Sequence, residues 1–424
     1  MPLPFVSEKL LQFIWQQQYF SKKQLHTADG EMLEIISPGI LNVNQGPDFL
    51  NGRIKLGDTK WAGNIELHIK TSDYYLHKHH EDEHYNNVVL HVVWQHDDPD
   101  FKRIPVLELE PLVSTVLLQR YARLQESEPF VACGKMLSSF GGLTWVKWKE
   151  RMLIERMEEK TASVTTLLVR TGNHWEEVFW RLIARNFGYK VNADLFESVA
   201  ESLPVELLAK HKNNQVQIEA LLFGQANLLD EDCSDYYSVL LNREYKFLSN
   251  KYRLQPVPAR VCYLRMRPAN FPTIRMSQLA SLVFNSSHLF SKIKAANAFY
   301  EIRQMLAVTA NDYWQTHYKF GEESAHKPKQ LGAEMMNNII INTVVPVVFA
   351  YGMAHSLPAL KEKALNWLDN AEPELNTITR GWKDLGIPNK SAADSQALLH
   401  LKNKYCNKKH CLQCAIGNAI LKSN

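Results

Sequence analysis

Between residues 31 and 113 the apolar residues follow the period of a strand, and from about 115 onward they recur every three to four positions. That one change of period divides the 424-residue chain before any residue is asked for its chemistry. The first stretch contains EMLEIIS, GRIKLG, KWAGNIELHIK, NVVLHVVW and IPVLELEPL, short β-branched or alternating runs bounded by Gly, Asp, Asn or Pro, and these predict a small sheet. Ahead of it, Ser7 is placed to cap a helix carrying Leu10, Leu11, Ile14 and Trp15 on one face. Beyond it, Trp175, Val178, Phe179, Leu182 and Ile183 form one helical stripe, and Ile218, Leu221 and Leu222 belong to another. RVCYLRM is the one further strand signal. A chain of this length exceeds a single comfortable core. The expected class is therefore α+β: an N-terminal α/β domain with a small mixed sheet over residues 1–135, then a larger all-α domain over 140–424 that ends in a Cys-rich motif.

Composition narrows the function classes only slightly. Hydrophobic residues at 45% and charged residues at 22% describe an ordinary globular protein, and a formal net charge of +3 forces neither nucleic acid nor membrane as partner. The start, MPLPFVSEKLLQFIWQQQYF, lacks the pattern of a signal peptide, so a cytoplasmic location is expected. The most apolar run, IIINTVVPVVFAYGM, is interrupted by Asn342, Thr343 and Pro346 and falls short of the ~18 to 20 residues that span a bilayer. It reads as a buried helix with a proline kink, and no membrane partner is expected.

Chemistry concentrates in GNIELHIKTSD. On a strand, Glu66, His68 and Lys70 project from one face while Ile65, Leu67 and Ile69 pack the other. Asp48, in the turn-bearing segment GPDF, lies across a hairpin from Glu66. An aspartate and a glutamate converging from adjacent strands suit Mg2+ or Mn2+, which takes carboxylate oxygens and keeps water that can be activated. The order helix, strand, turn with PD, hairpin, then a strand with an acidic residue followed two positions later by a polar one, resembles the PD-(D/E)xK phosphodiesterase superfamily. That resemblance implies a metal-dependent nuclease of DNA or RNA, with Asp48 and Glu66 as metal ligands. His68 stands where the superfamily has lysine, so His68 or Lys70 would position the attacking water. The replacement leaves a second expectation, a catalytically inactive binding factor on the same fold.

Seven of the sixteen histidines lie between 68 and 96: His68, His77, His79, His80, His84, His91 and His96. His91, inside VVLHVVW, reads as a buried strand residue. A third expectation is a zinc-dependent small-substrate hydrolase built on His68, Asp73, His77 and His91, because imidazole and carboxylate suit transition metals. HKHHEDEH by itself reads as a solvated loop or helix start.

The remaining signals lie further along. Cys406, Cys411 and Cys414, in YCNKKHCLQC, have the close spacing of ligands to zinc or an iron–sulfur cluster. His410 as fourth ligand favours zinc, and Cys133 favours iron–sulfur. Several PD-(D/E)xK nucleases carry a cluster on one remote and three C-terminal cysteines, an arrangement to which this set is similar. Arg265, Arg267 and Arg275 in RMRPANFPTIR are candidates for nucleic-acid phosphates. The aromatic run Tyr313, Trp314, Tyr318 and Phe320 could stack bases but reads first as core. As a whole, GPDF, GNIELH, NVVLHVVW, NFPTIR, INTVVPVVFAYG and YCNKKHCLQCAIG closely resemble an uncharacterised bacterial family known only as a domain of unknown function.

Overall fold

The computed structural model describes residues 6–126, 130–139, 142–229, 234–258, 260–264, 266–286 and 288–422. The chain forms two compact units, Met1–Trp148 with Leu401–Asn424, and Lys149–His400. The Cys-rich end, expected as the tail of the helical domain, therefore belongs to the first unit.

In that unit helix α1 (Glu8–Gln17) begins where the Ser7 hydroxyl accepts the Leu10 N–H, and it buries Leu10, Leu11, Phe13, Ile14 and Trp15. The sheet contains β1 (Leu33–Ser37), β2 (Ile40–Leu41), β3 (Phe49–Leu56), β4 (Thr59–Lys70), β5 (Val88–Gln95) and β6 (Val106–Glu108), in the order β1-β3-β4-β5-β6 with β2 beside β3. β1, β3 and β4 run antiparallel, and Gly57 makes the β3–β4 turn with a φ of 52°. β5 then pairs parallel to β4, and β6 parallel to β5.

The parallel step decides where the site forms. Antiparallel neighbours can be joined by a tight turn, but a parallel neighbour requires the chain to cross a face of the sheet. Residues 71–87 make that crossing, through the short helix α2 (Asp73–Leu76) and a turn of 3-10 helix at Glu83–Tyr85. They carry the histidine-rich tract. β4 registers the outcome: its first four residues are exposed, whereas Ile65 to His68 are buried on both faces.

The second unit is helical, as the 3.6-residue period requires. Residues 260–264 form no strand; the short ribbon in this unit pairs His317–Lys319 with Glu322–Glu323. The apolar run becomes Ala333–Ile339, a π-helical turn Ile340–Val344 and the helix Val345–Ala354, with Pro346 in its first turn. Proline there lacks the N–H that the previous turn would bond, and the widened turn absorbs its ring. Taken together Ala333–Ala354 is long and apolar enough by length and composition to cross a membrane, and 67% of its most apolar window is buried inside the protein. Tyr313 and Trp314 are core residues: Trp314 is fully buried, stacked on Phe223 at 5.4 Å and tilted against Phe320 at 5.1 Å.

Within this core Glu219 is fully buried, accepting hydrogen bonds from the Tyr237 and Ser277 hydroxyls. Burial pushes its carboxyl up to about 7. A carboxyl raised above its unfolded value of about 4.5 contributes stability that is complete below that value and is lost as pH rises through 7. Glu219→Gln, which keeps an acceptor and cannot ionise, is expected to flatten that slope. Urea midpoints at pH 5 and pH 8 should show the variant gaining roughly 2 to 3 kcal/mol on wild type between the two values. Parallel pH dependence of the two proteins would refute a buried, shifted Glu219.

Candidate metal centre

The site is built on β4. Glu66 and His68 stand on its covered face, 4% and 1% exposed. The pairing of β4 with β5 sets Glu66 opposite His91. The crossing segment then lowers His77 and His79 onto the same spot. Glu66 Oε1 lies 3.5 Å from His68 Nε2 and 3.4 Å from His79 Nε2. His68 Nε2 is 3.2 Å from His77 Nδ1, and one donor atom from each of His68, His77 and His79 falls within 4.8 Å of the others. His79 is held by stacking on Tyr85, ring centroids 3.9 Å apart. Exposure grades from buried His68 through half-buried His79 to exposed His77, so the group has a closed floor and an open rim.

A second layer fixes these donors. Asp48 gives its N–H to Glu66 Oε2 at 3.1 Å. Its carboxylate accepts from Gln12 Nε2 of α1 at 2.8 Å and from the Leu67 N–H at 3.1 Å. One aspartate thus ties α1, β3 and β4 around Glu66. Behind His68, His68 Nδ1 and His91 Nε2 share a hydrogen bond of 2.8 Å. His91 is fully buried against Tyr74 and Phe101, and its Nδ1 has no hydrogen-bond partner among the described residues. An imidazole oriented by a second group through its far nitrogen is the arrangement typical of metal-ligating histidine.

The electrostatics run in one direction. Burial, and then Asp48, pushes Glu66 up to about 9, while burial pushes Asp48 to about 6 against the Gln12 and Leu67 hydrogen bonds. The exposed Glu8 on α1 adds to the negative potential at both carboxyls. Burial, and then His91, His79 and His77, holds His68 down at about 2. His79 is lowered by burial and by His77. Neutral imidazoles beside carboxyls whose charge is disfavoured form a donor set that a cation satisfies at once, since a bound ion favours the anionic carboxylate and uses the free imidazole lone pair.

The expected residues sort accordingly. Asp48, Glu66, His68, His77 and His91 come together. Asp73 does not: its carboxylate accepts the Lys70 N–H at 2.9 Å and stays with the turn after β4. Lys70 does not reach back either. It is exposed at the strand end, where its charge acts on Asp97, and Glu66 pairs with His68 and His79 instead. His79, which the sequence placed in a solvated tract, is the residue missed. Its signal was the pair of strands flanking it, which must run parallel if the tract crosses the sheet.

Away from this centre, Cys133, Cys406, Cys411, Cys414 and His410 line one cavity of about 30 Å³ in the same unit. Arg265 lies outside the described residues. Arg267 is exposed, whereas Arg275 is buried, donating to Asn270 Oδ1 at 2.5 Å and Gln278 Oε1 at 2.9 Å, with its guanidinium over Tyr189. Arg275 thus holds helical structure together through amides.

Fold and site together define a mixed α+β protein with a histidine–carboxylate cluster on a curled mixed sheet, followed by a larger helical unit. The chain belongs to the family described as "Protein of unknown function (DUF2851)", whose model matches residues 8–377. No curated protein and no solved structure matches it.

Proposed function

We propose that the first unit is a divalent-metal-dependent phosphodiesterase acting on DNA or RNA, with Glu66, His68, His77 and His79 as metal ligands. The observation that carries this reading is the meeting of Glu66 Oε1 with His68 Nε2 and His79 Nε2 within 3.5 Å, with Asp48 locked alongside. The order of elements supports it: a helix, three antiparallel strands with Asp48 entering one and Glu66-x-His68 on the next, a helical crossing, then a parallel strand, as in the PD-(D/E)xK superfamily. Three imidazoles and a carboxylate favour Mn2+ or Zn2+ over Mg2+, which prefers oxygen donors. The ion's contribution is to lower the pKa of a bound water and offset charge on the attacked phosphate.

The chain's own residues then have separable duties. Glu66 supplies the anionic ligand. His68 donates a neutral nitrogen, so it replaces the superfamily lysine as a ligand and not as a cation. For His68 Nε2 to face an ion, His68 Nδ1 carries the proton and donates it to His91 Nε2. Asp48 holds Glu66 in place through its N–H. The test is cleavage of single- and double-stranded DNA and RNA with Mn2+, Zn2+ or Mg2+, comparing wild type with Glu66→Gln. Hydrolysis of small esters but of no nucleic acid would favour the zinc hydrolase. A metal-loaded, folded protein that cleaves nothing yet binds nucleic acid would favour the inactive factor.

The helical unit offers a place for the polymer. A groove of about 1220 Å³ is lined by Arg185, Tyr189, Lys190, Arg267 and Arg275, with Glu334 its one acidic residue among the described residues. Arg185 is engaged with Asp194 and Glu197, and Arg275 with amides, so among the described residues Lys190 and Arg267 are the exposed cations left for phosphate. Lys190→Ala with Arg267→Ala is expected to weaken binding equally across sequences and to reduce the slope of log K against log salt by about 1 to 2. An unchanged salt slope in fluorescence-anisotropy titrations would remove this groove from the reading.

A further inference from the structure

Four of the chain's thiols, separated in sequence by most of its length, close on one small space in the first unit. We infer that Cys133, Cys406, Cys411 and Cys414 are the ligands of a single structural metal centre, bound through four thiolates and independent of the Glu66 cluster. All four line the same cavity, and none is in a disulfide. The Cys411 thiol lies 3.8 Å from the Leu124 carbonyl oxygen, on the chain leading to Cys133, so the remote cysteine closes on the same space as the C-terminal three.

Burial opposes charge on all four sulfurs, and a bound cation offsets that cost. The N–H groups of Ile416 and Gly417 ease the upward push that burial puts on the Cys414 thiol. Backbone N–H groups beside a sulfur suit a thiolate better than a thiol, which is a weak acceptor. Lys402 acts on Cys406 and Lys409 on Cys411 in the same favourable sense. These lysines also fasten the two parts of the cage: Lys402 Nζ donates to the Phe130 carbonyl and Lys409 Nζ to the Gln125 carbonyl, on the chain leading into Cys133. Gly417 permits the close turn, because a Cβ there would sit 2.1 Å from the Cys411 carbonyl oxygen.

Binding releases four thiol protons and leaves four thiolates on the metal, a charge the two lysines partly offset. His410 borders the cavity but is exposed, so Cys133 takes the fourth position. One zinc ion and an iron–sulfur cluster share this ligand chemistry, and sulfurs of which no three lie within 4.8 Å of one another are spaced more as the ligands of a cluster than as those of one ion.

The test is the full chain, expressed with both iron and zinc supplied and purified without oxygen, then assayed for zinc, iron and acid-labile sulfide. In the Glu66→Gln background, which removes the carboxylate of the other cluster, we expect either one zinc per chain, or iron with matching sulfide and visible charge-transfer absorption; the two results distinguish ion from cluster. On that background Cys133→Ser and Cys414→Ser should each lower that metal by about tenfold or more, in the range expected when a metal site loses an essential group. On the same background Cys262→Ser and His410→Ala should retain it. Retention in the Cys133 and Cys414 variants would overturn the assignment, as would loss in His410→Ala with Cys133→Ser unaffected. Where a serine variant fails to fold, chelator-treated wild type titrated with Co2+ decides the matter: sulfur-to-cobalt absorption supports the site, and its absence overturns it.

Discussion

Glu66→Gln is expected to abolish metal-dependent hydrolysis while leaving the metal-free protein as stable as wild type or more so. Those two effects rarely coincide. A buried carboxyl with a purely structural duty loses stability when its charge is removed, because its partners are left unpaired. Glu66 is different: burial and Asp48 push it up to about 9, so the fold itself works against the anion that a metal needs. Glutamine matches the protonated acid in shape and can still accept the Asp48 N–H. It is, however, a poor ligand beside His68 and His79, so kcat/KM should fall by roughly a thousandfold or more, the scale on which loss of a principal electrostatic group acts. Asp48→Asn and His91→Gln remove orientation but no ligand, and about 10- to 100-fold in metal affinity is expected from each. Isothermal titration with Mn2+ or Zn2+, alongside thermal melts with and without metal, reads all three. A stability loss in Glu66→Gln with metal binding intact would make Glu66 a structural residue and sink the proposed site.

That the site unites residues from two separate expectations has a physical reason. Asp48 and Glu66 were legible because a hairpin register and the two-residue strand period are local properties. The same period placed Lys70 on the correct face but says nothing of reach: two residues further along the strand is roughly 7 Å, beyond the covered part of β4. Asp73 and His77 looked like partners by proximity in sequence. The turn after β4 sends Asp73 back to the Lys70 N–H and sends His77 across to His68. His79 was invisible for the opposite reason. Its neighbours are charged, as on any solvated loop, and only the parallel pairing of β4 with β5 forces that loop onto the sheet face.

The helical unit was legible as a class and not in its details. Its stripes reported burial, and Trp314 took the core place its density of neighbours implied. Arg275 looked like a surface phosphate binder because nothing in RMRPANFPTIR shows that Asn270 and Gln278 will supply its hydrogen bonds. The Cys-rich end could not be assigned to the first unit from spacing, since its contact with Leu124 and Phe130 closes over most of the chain. Long-range closure is a tertiary property that no local period carries.

Gly63→Ala is expected to destabilise the first unit by about 3 kcal/mol, at the upper end of what overpacking costs, and to weaken metal binding with it. The reason lies in how β5 joins β4. Their register shifts between Asn64, opposite Val88, and Ile65, opposite Leu90, so Val89 is the extra residue of a bulge. A Cβ on residue 63 would meet Val89 Cγ1 at 2.4 Å and the Asn87 carbonyl oxygen at 2.6 Å. That carbonyl accepts the Asn64 N–H at 2.7 Å, so it cannot retreat without breaking the first bond between the strands. Pushing the start of β5 outward also carries His91 away from His68, because His91 follows two residues after Val89 on the same strand. Val89→Ala on the Gly63→Ala background removes the side-chain clash and leaves the carbonyl clash, so it should restore part of the stability and less of the metal affinity. Urea denaturation of the two singles and the double, with metal titrations of each, measures that coupling. A Gly63→Ala protein as stable as wild type would mean that the β4–β5 bulge is slack, and that His91 is not held at His68 by the sheet.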